Sequence, residues 1–123
     1  MKIDWINKED SNGAVTLYDN NITLSKKAAN FFMDAYAVAV GIDRDTQNII
    51  IKSVSKEEAN QLDKDNLHKI AIKNSYGRIT GKRLINEISG AIKIDFSKKQ
   101  AYKYGARWNT GYKMLIVNTK EVF

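Results

Sequence analysis

The chain has 123 residues, a net charge of +6, and neither Cys nor Pro. Apolar residues make up 43% and charged residues 28% of the sequence, a balance typical of soluble globular proteins that excludes global disorder. The absence of Cys excludes disulfides, thiolate metal sites and cysteine nucleophiles. No apolar run approaches the roughly 18 residues that span a bilayer, and the N-terminus lacks the apolar core of a signal peptide, so we expect a cytoplasmic protein without a membrane partner.

In chain order, an N-terminal arm at 1–13 precedes a first unit of four strands and one helix at 14–54. Apolar residues at every second position predict the strands, and polar turn residues separate them. Ser25 is a suitable N-cap, because its hydroxyl can accept a hydrogen bond from the first turn of a helix over 26–34. The strands of this unit are predicted at 15–17, 22–24, 36–42 and 49–54.

A helical linker at 55–66 leads to a second unit at 67–117 and a C-terminal tail at 118–123. Ser55 and Glu58 have the spacing of a capping box, which predicts a short helix at the start of the linker. The second unit repeats the order of the first. Its predicted elements are strands at 67–73 and 78–80, a helix at 82–89 ended by Gly90, a strand through Ile92, Ile94 and Phe96, an inserted connection at 97–111 and a strand at 112–117.

The two units share a short sequence similarity. Ile-Thr-Leu-Ser-Lys-Lys-Ala-Ala-Asn-Phe-Phe, starting at Ile22, aligns with Ile-Thr-Gly-Lys-Arg-Leu-Ile-Asn-Glu-Ile, starting at Ile79, with one residue dropped in the second copy. Two copies are too few for a solenoid. The pattern therefore predicts a β-rich α+β fold in which two tandem ββαββ units form one compact body. Chance similarity between two stretches of the same class is the alternative.

Gly77-Arg78-Ile79-Thr80, followed by Lys82-Arg83-Leu84-Ile85, resembles the signature of the AbrB-type swapped-hairpin domain. Two such copies in one chain resemble the MraZ arrangement. The proline common before the helix in that family is replaced by Ser25 and Gly81. The resemblance implies one short helix in each copy and a DNA-binding transcriptional regulator. It also implies that Arg78, Lys82 and Arg83 contact the nucleic acid.

Positive charge is concentrated in the second unit. Residues 1–54 contain six Lys/Arg and seven Asp/Glu, whereas residues 67–113 contain eleven Lys/Arg and two Asp/Glu. A basic half joined to a near-neutral half indicates an anionic partner. A solvated basic surface without a specific partner is the alternative.

The segment 97–113 combines cations with aromatic residues. Its cations would attract phosphates, and its aromatic rings would offer faces on which unpaired bases stack. Alternatively, the aromatic residues pack over the sheet edge while the lysines remain solvated. The candidate nucleic-acid contacts of this segment are Lys98, Lys99, Tyr102, Lys103, Tyr104, Arg107, Trp108 and Lys113.

We expect no enzymatic activity, because the chain has no P-loop, G-x-G-x-x-G or G-x-S-x-G motif and only a single His68. No metal site or cofactor is predicted. The leading hypothesis is a small nucleic-acid-binding regulatory protein that acts by occupancy, on DNA rather than RNA. The first alternative is an inhibitor or antitoxin-like interaction module whose basic face docks on an acidic protein, and the second is a small-ligand-binding β domain. All three leave a homodimer open.

Overall fold

Nine antiparallel strands form a single sheet in the computed structural model, which describes residues 1–3 and 13–122 and the side chains through residue 120. Most of the predicted arm at 1–13 lies outside the described residues. The order of strands across the sheet is β5-β3-β4-β9-β8-β1-β2-β7-β6. The strands are β1 (Ala14–Leu17), β2 (Asn21–Ser25), β3 (Ala37–Ile42), β4 (Ile49–Val54), β5 (Leu67–His68), β6 (Ala71–Ile72), β7 (Tyr76–Thr80), β8 (Tyr102–Asn109) and β9 (Met114–Val122).

The helices are few and mostly short, so the prediction of a β-rich fold is confirmed. They are α1 (Lys26–Ala29), continued by a 3-10 turn (Asn30–Phe32), α2 (Lys56–Ala59), a second 3-10 turn (Lys64–Asn66) and α3 (Lys82–Ile92). Ser25 caps α1 by accepting from the backbone N–H of Ala28, as predicted. The predicted capping box of Ser55 and Glu58 is present at α2. Each cap satisfies helix N–H groups that would otherwise lack a partner.

Strands from the two predicted units alternate across the sheet rather than forming two separate sheets. β2 pairs with β7, and β4 pairs with β9, so each half supplies partners for the other. In the first of these pairs, Ile22 lies directly opposite Ile79. The hairpin of β1 and β2 is therefore extended by β7 and β6, and the hairpin of β3 and β4 is extended by β9 and β8.

The two edges of the sheet lie close together. Only Lys69 and Ile70 separate β5 from β6, although these strands lie at opposite ends of the strand order. The link from His68 to Ala71 spans at most about 11 Å, so the sheet must curl. The single strand predicted at 67–73 is thus divided into two short strands that pair with different partners, β3 and β7.

The hydrophobic core lies on one face of the curled sheet, where α1 and α3 cover it. Phe32, Ile85 and Ile88 from the helical segments pack in the same cluster as strand residues such as Ile22 and Leu115. All five are at most 3% exposed. A smaller cluster of Ala37, Val54 and Ala59 packs under α2. Alternate strand residues therefore point to the core, and the residues between them point away from it.

Two predicted elements of the second half are wrong. Helix α3 continues through Gly90 to Ile92 and ends at Lys93, which adopts the left-handed conformation, so the expected strand through Ile92, Ile94 and Phe96 does not form. Ile94 and Phe96 instead pack against the core from an irregular segment. Ile85, Ile88 and Ile92 follow helical spacing, and this periodicity prevails over the period of two that begins at Ile92.

The long hairpin of β8 and β9 also differs from its prediction. β8 occupies Tyr102–Asn109, most of the connection expected at 97–111. β9 continues to Val122, through the region expected to be a C-terminal tail at 118–123. The pairing of these strands shifts in register between Tyr104 and Ala106, so β9 carries an irregularity where it leaves the expected unit.

Candidate nucleic-acid interface

Strand register places two of the predicted contacts, Arg78 and Lys103, in one row across the sheet. Arg78 on β7 lies opposite Thr23 on β2, which lies opposite Thr16 on β1, which in turn lies opposite Lys103 on β8. Three strand spacings separate the two cations, about 14 Å between backbones. We call Arg78, Thr23, Thr16 and Lys103 the basic row.

The basic row lies on the face of the sheet opposite the core. Arg78 is exposed and stands between buried Gly77 and buried Ile79. Lys103 is exposed and precedes Tyr104, which is only 4% exposed. Because side chains alternate along a strand, Arg78 and Lys103 both point outward. Arg107, which is also exposed, follows Lys103 by four residues on the same side of β8.

The charged side chains described on the nine strands are all basic. They are Lys52, Arg78, Lys103, Arg107 and Lys120, and no Asp or Glu stands among the strand side chains that the structure describes. A sheet surface that carries several cations produces a positive potential, which attracts anions. The ammonium of Lys52, one of this set, lies 3.6 Å from the carboxylate of Glu58.

An aromatic ring holds the guanidinium of Arg78. The guanidinium carbon lies 5.0 Å from the centre of the Tyr76 ring, two residues earlier on the same strand. This is the distance range of a cation–π contact, which orients the planar group without neutralising its charge. Tyr76 was not among the predicted contacts, although its place two residues before Arg78 on a strand puts it on the same face.

Lys82 and Arg83 begin α3 and are exposed. The side chain of Arg83 is 94% exposed, and its Nε lies 3.6 Å from Oε1 of Glu87, one helical turn later. An ion pair this exposed contributes little to stability. Cations in the first helical turn also oppose the helix dipole, so these two residues do not stabilise α3 electrostatically.

Three aromatic residues of segment 97–113, Tyr102, Tyr104 and Trp108, pack against the core, whereas Tyr112 in the turn between β8 and β9 is 70% exposed. Tyr104 is buried in the core, and this burial raises the pKa of its phenol. The Trp108 ring stacks on Phe31, with centroids 4.7 Å apart, and meets the edge of Phe32 at 5.4 Å. In this conformation Tyr104 has no face on which a base could stack.

Tyr102 is half-buried and held at both ends of its side chain. Its hydroxyl donates to the backbone carbonyl of Asp95 at 2.6 Å, and its ring meets Phe96 edge-on at 5.5 Å. The ammonium of Lys99 lies 5.4 Å from the centre of the same ring. Tyr102 therefore fastens the irregular segment after α3 to strand β8.

The remaining predicted cations do not join the basic row. Lys98 and Lys99 lie in the exposed turn before β8, and Lys113 lies in the turn between β8 and β9. The structure thus brings Arg78, Lys103 and Arg107 onto one face, and it distributes the other cations around its edges. Thr16 and Thr23 belong to the basic row but were missed, because their place depends on register between strands that are distant in the sequence.

No known family model, curated protein or solved structure matches this chain. Within residues 1–3 and 13–122, no helix is both long enough and apolar enough to span a membrane. The same part of the chain contains no group of three or more His, Cys, Asp or Glu side chains placed to hold a metal ion. What the fold and the site define is therefore a β-rich protein with a basic outer sheet face.

Proposed function

We propose that this protein is a small nucleic-acid-binding regulatory protein that binds DNA through the basic row and acts by occupancy rather than by catalysis. The observation that carries the proposal is the register that places Arg78 and Lys103 in one outward row. The exposure of Arg78, Lys103 and Arg107 on this face supports it, because exposed cations attract a phosphate backbone.

The chemistry of the row suits phosphate contacts. Arg78 offers a planar fork of donors for phosphate oxygens, and Lys103 offers a point charge about 14 Å away across the sheet. The hydroxyl of Thr16 lies between them and can donate to the same backbone, whereas that of Thr23 already donates to Oδ1 of Asn21 at 2.7 Å. Such contacts position a nucleic acid and provide affinity, whereas sequence preference requires contacts to base edges.

A pseudo-symmetric relation between the two units supports the proposed tandem ββαββ architecture. Ile22 and Ile79, which the sequence similarity aligns, lie directly opposite each other where β2 pairs with β7. The first hairpin of one unit pairs with the first hairpin of the other, and the second hairpins pair likewise. We infer that an axis passing near Ile22 and Ile79 relates the units, in the manner of an AbrB- or MraZ-like domain.

A salt titration tests the proposed function directly. The chain is titrated against duplex DNA, single-stranded DNA and RNA of matched length, each between 50 and 200 mM salt, a range in which phosphate contacts change affinity by roughly 10³–10⁵-fold for six to ten contacts. The double variant Arg78→Gln with Lys103→Gln should weaken binding. It should also reduce the slope of log affinity against log salt concentration by about 2, since about two phosphate contacts are removed.

The matched control removes the same charge elsewhere. Lys56 and Lys64 are exposed and lie in the helical linker between the units. Lys56→Gln with Lys64→Gln should therefore lower the net charge equally but leave the salt slope close to that of the wild type. Equal weakening by both double variants would show that the basic row has no special role.

Binding experiments with the same protein can also distinguish a nucleic-acid-binding protein from the alternative, a protein-interaction module. If none of the three nucleic acids binds at 50 mM salt, binding by occupancy of a nucleic acid is refuted. Capture of one protein from nuclease-treated extract, lost in the Arg78→Gln/Lys103→Gln variant and kept in the Lys56→Gln/Lys64→Gln variant, would then assign the basic row to an acidic protein partner.

A further inference from the structure

A cavity of about 270 Å³ lies between the two units, away from the basic row. Its aromatic wall is formed by Phe31 and Trp108, the two rings that stack at 4.7 Å. Charged side chains of both signs surround this wall: Asp34 and Glu58 supply carboxylates, and Lys113 supplies an ammonium. The volume lies just below the roughly 300–1,000 Å³ range of pockets that hold drug-sized ligands, so the site suits a smaller molecule.

The carboxylate of Glu58 is fixed in position. Its Oε1 accepts from the backbone N–H of Ser55 at 3.2 Å, and its Oε2 lies 3.6 Å from the Lys52 ammonium. The hydrogen bond from the Ser55 backbone, followed by the Ser55 side chain and the charge of Lys52, lowers the pKa of Glu58. This carboxylate is therefore ionised at neutral pH, and rotation of its side chain would break the cap of α2.

Asp34 differs from Glu58 because the residues that the structure describes offer it no hydrogen bond or ion pair. It lines the cavity from the segment that follows the 3-10 turn of the first unit. Its oxygens remain available to accept hydrogen bonds from a ligand. The hydroxyl-bearing residues Ser53, Ser55 and Thr110 complete the polar part of the lining.

Lys113 reaches the cavity from an unusual backbone conformation. Its φ is 53°, in the left-handed region where a hairpin of this kind normally carries glycine. A non-glycine residue is strained there, so an outlier of this type is a reason to look for a role of its side chain. The Lys113 carbonyl accepts from Ser53 at 2.9 Å, which anchors this turn to β4 beside the cavity.

We propose that this cavity binds a small zwitterion of the α-amino-acid class. The ligand's ammonium donates to the carboxylates of Asp34 and Glu58, and its carboxylate pairs with the ammonium of Lys113. Its side chain packs against Phe31 and Trp108. An ammonium has three donors, which matches a lining of carboxylates and hydroxyls, and a cation beside an aromatic wall gains further attraction. This site is distinct from the proposed nucleic-acid interface and does not depend on it.

Calorimetric titration of the wild-type chain with the standard α-amino acids is the first test. Each amino acid that binds is compared with the amine and the acid that lack its carboxylate or its ammonium; for L-leucine these are 3-methylbutylamine and 4-methylpentanoate. Loss of either charged contact should weaken binding roughly 10- to 100-fold, the equivalent of one hydrogen bond to a charged group. If no amino acid binds, or if the amine binds as tightly as the amino acid, the proposal is overturned.

Fluorescence then locates the ligand. The chain has two tryptophans, so a Trp5→Phe variant leaves Trp108 as the sole emitter, and binding in the cavity should change its emission saturably. Asp34→Asn should weaken the amino acid and the amine but not the acid, whereas Lys113→Gln should weaken the amino acid and the acid but not the amine. Asp45→Asn with Lys64→Gln, both outside the cavity lining, should change none of the three. Calorimetric binding that persists unchanged in Asp34→Asn and Lys113→Gln would also overturn the proposal.

Discussion

Strand β8 presents two different chemistries, one on each face. Lys103 and Arg107 point outward and are exposed, whereas Tyr104 and Trp108 point inward, where Tyr104 is 4% exposed and Trp108 stacks on Phe31. A segment that reads as one basic and aromatic arm is therefore divided by the alternation of a strand. The comparison shows that the cations of β8 lie on the outward face, while its aromatic residues pack against the core and stabilise the fold.

The largest predicted effect is the loss of folding stability when a side chain on the inward face of β8, rather than one on its outward face, is truncated. Tyr104→Ala should destabilise the protein by about 3–5 kcal/mol, the range for truncating a buried aromatic residue. Arg107→Ala, three residues along the strand on the outward face, should change stability by less than about 0.5 kcal/mol. Urea denaturation followed by circular dichroism measures both, and a small cost for Tyr104→Ala would show that the inward face is not a packed core.

Strand β7 likewise has one residue that faces the core, Gly77, next to one that faces outward, Arg78. Arg78 is exposed, whereas a Cβ added to Gly77 would lie 2.9 Å from the Cβ of Ala29 and 3.3 Å from Cδ1 of Ile72. Gly77 has no positive φ, so its requirement is for space where β7 passes α1. The Gly-Arg pair thus combines a packing residue with a surface residue.

Gly77→Ala should therefore destabilise the fold by about 1–3 kcal/mol, the usual cost of overpacking. The matched control is Gly90→Ala, since Gly90 lies inside α3 and a Cβ there meets nothing within 4 Å. That variant should stabilise the protein by about 0.5–1 kcal/mol, because alanine is the better helix former. Thermal and urea unfolding of both variants should show changes in the free energy of unfolding that are opposite in sign. If Gly77→Ala left this free energy unchanged, the close approach of β7 to α1 would be refuted.

Local patterns in the sequence predicted the local parts of the fold. Ser25 and Ser55 were identified as helix caps from residue type and spacing alone, because a cap depends only on its own turn. Whether the aromatic side of β8 would face the core or a ligand depended on Phe31 and Phe32, which are distant in the sequence.

The long-range parts could not be predicted from one sequence. The row from Arg78 to Lys103 requires three strand registers, none of which follows from local periodicity. Near Ile92 two periodicities compete, and the helical one prevails because Ile85 and Ile88 are already buried on the same side of α3. The cavity beside Trp108 was missed for the same reason, since its lining comes from three stretches that are distant in the sequence, 31–35, 53–58 and 108–113.

A smaller effect distinguishes the cavity from the basic face. Lys113→Gly should stabilise the protein by about 0.5 kcal/mol, because relief of left-handed strain slightly exceeds the entropy that glycine loses on folding. The same variant should weaken amino-acid binding, because it removes the ammonium from the cavity. Gln47→Gly is the control, since Gln47 also has a left-handed φ, of 62°, but lies in another hairpin outside this cavity. It should stabilise comparably and leave ligand binding unchanged, as denaturation and calorimetry can measure.

The smallest predicted effect is a pH dependence at Glu58, on the side of the cavity that α2 forms. Hydrogen bonds from Ser55 and the charge of Lys52 lower its pKa in the folded state below the ordinary value of 4.5. A carboxyl whose pKa is lower in the folded than in the unfolded state binds fewer protons when folded, so its stabilising contribution is complete above pH 4.5. The contribution disappears as the pH falls through the folded pKa. Glu58→Gln should therefore be less stable than the wild type at pH 7, and the two should converge in acid, as urea midpoints measured across this range would show.

The control is Glu57→Gln, in the same helical turn but without the capping hydrogen bonds, which should show a smaller acid-dependent difference in stability. An equal difference for the two variants would mean that the helix dipole, rather than the capping box and Lys52, accounts for the effect.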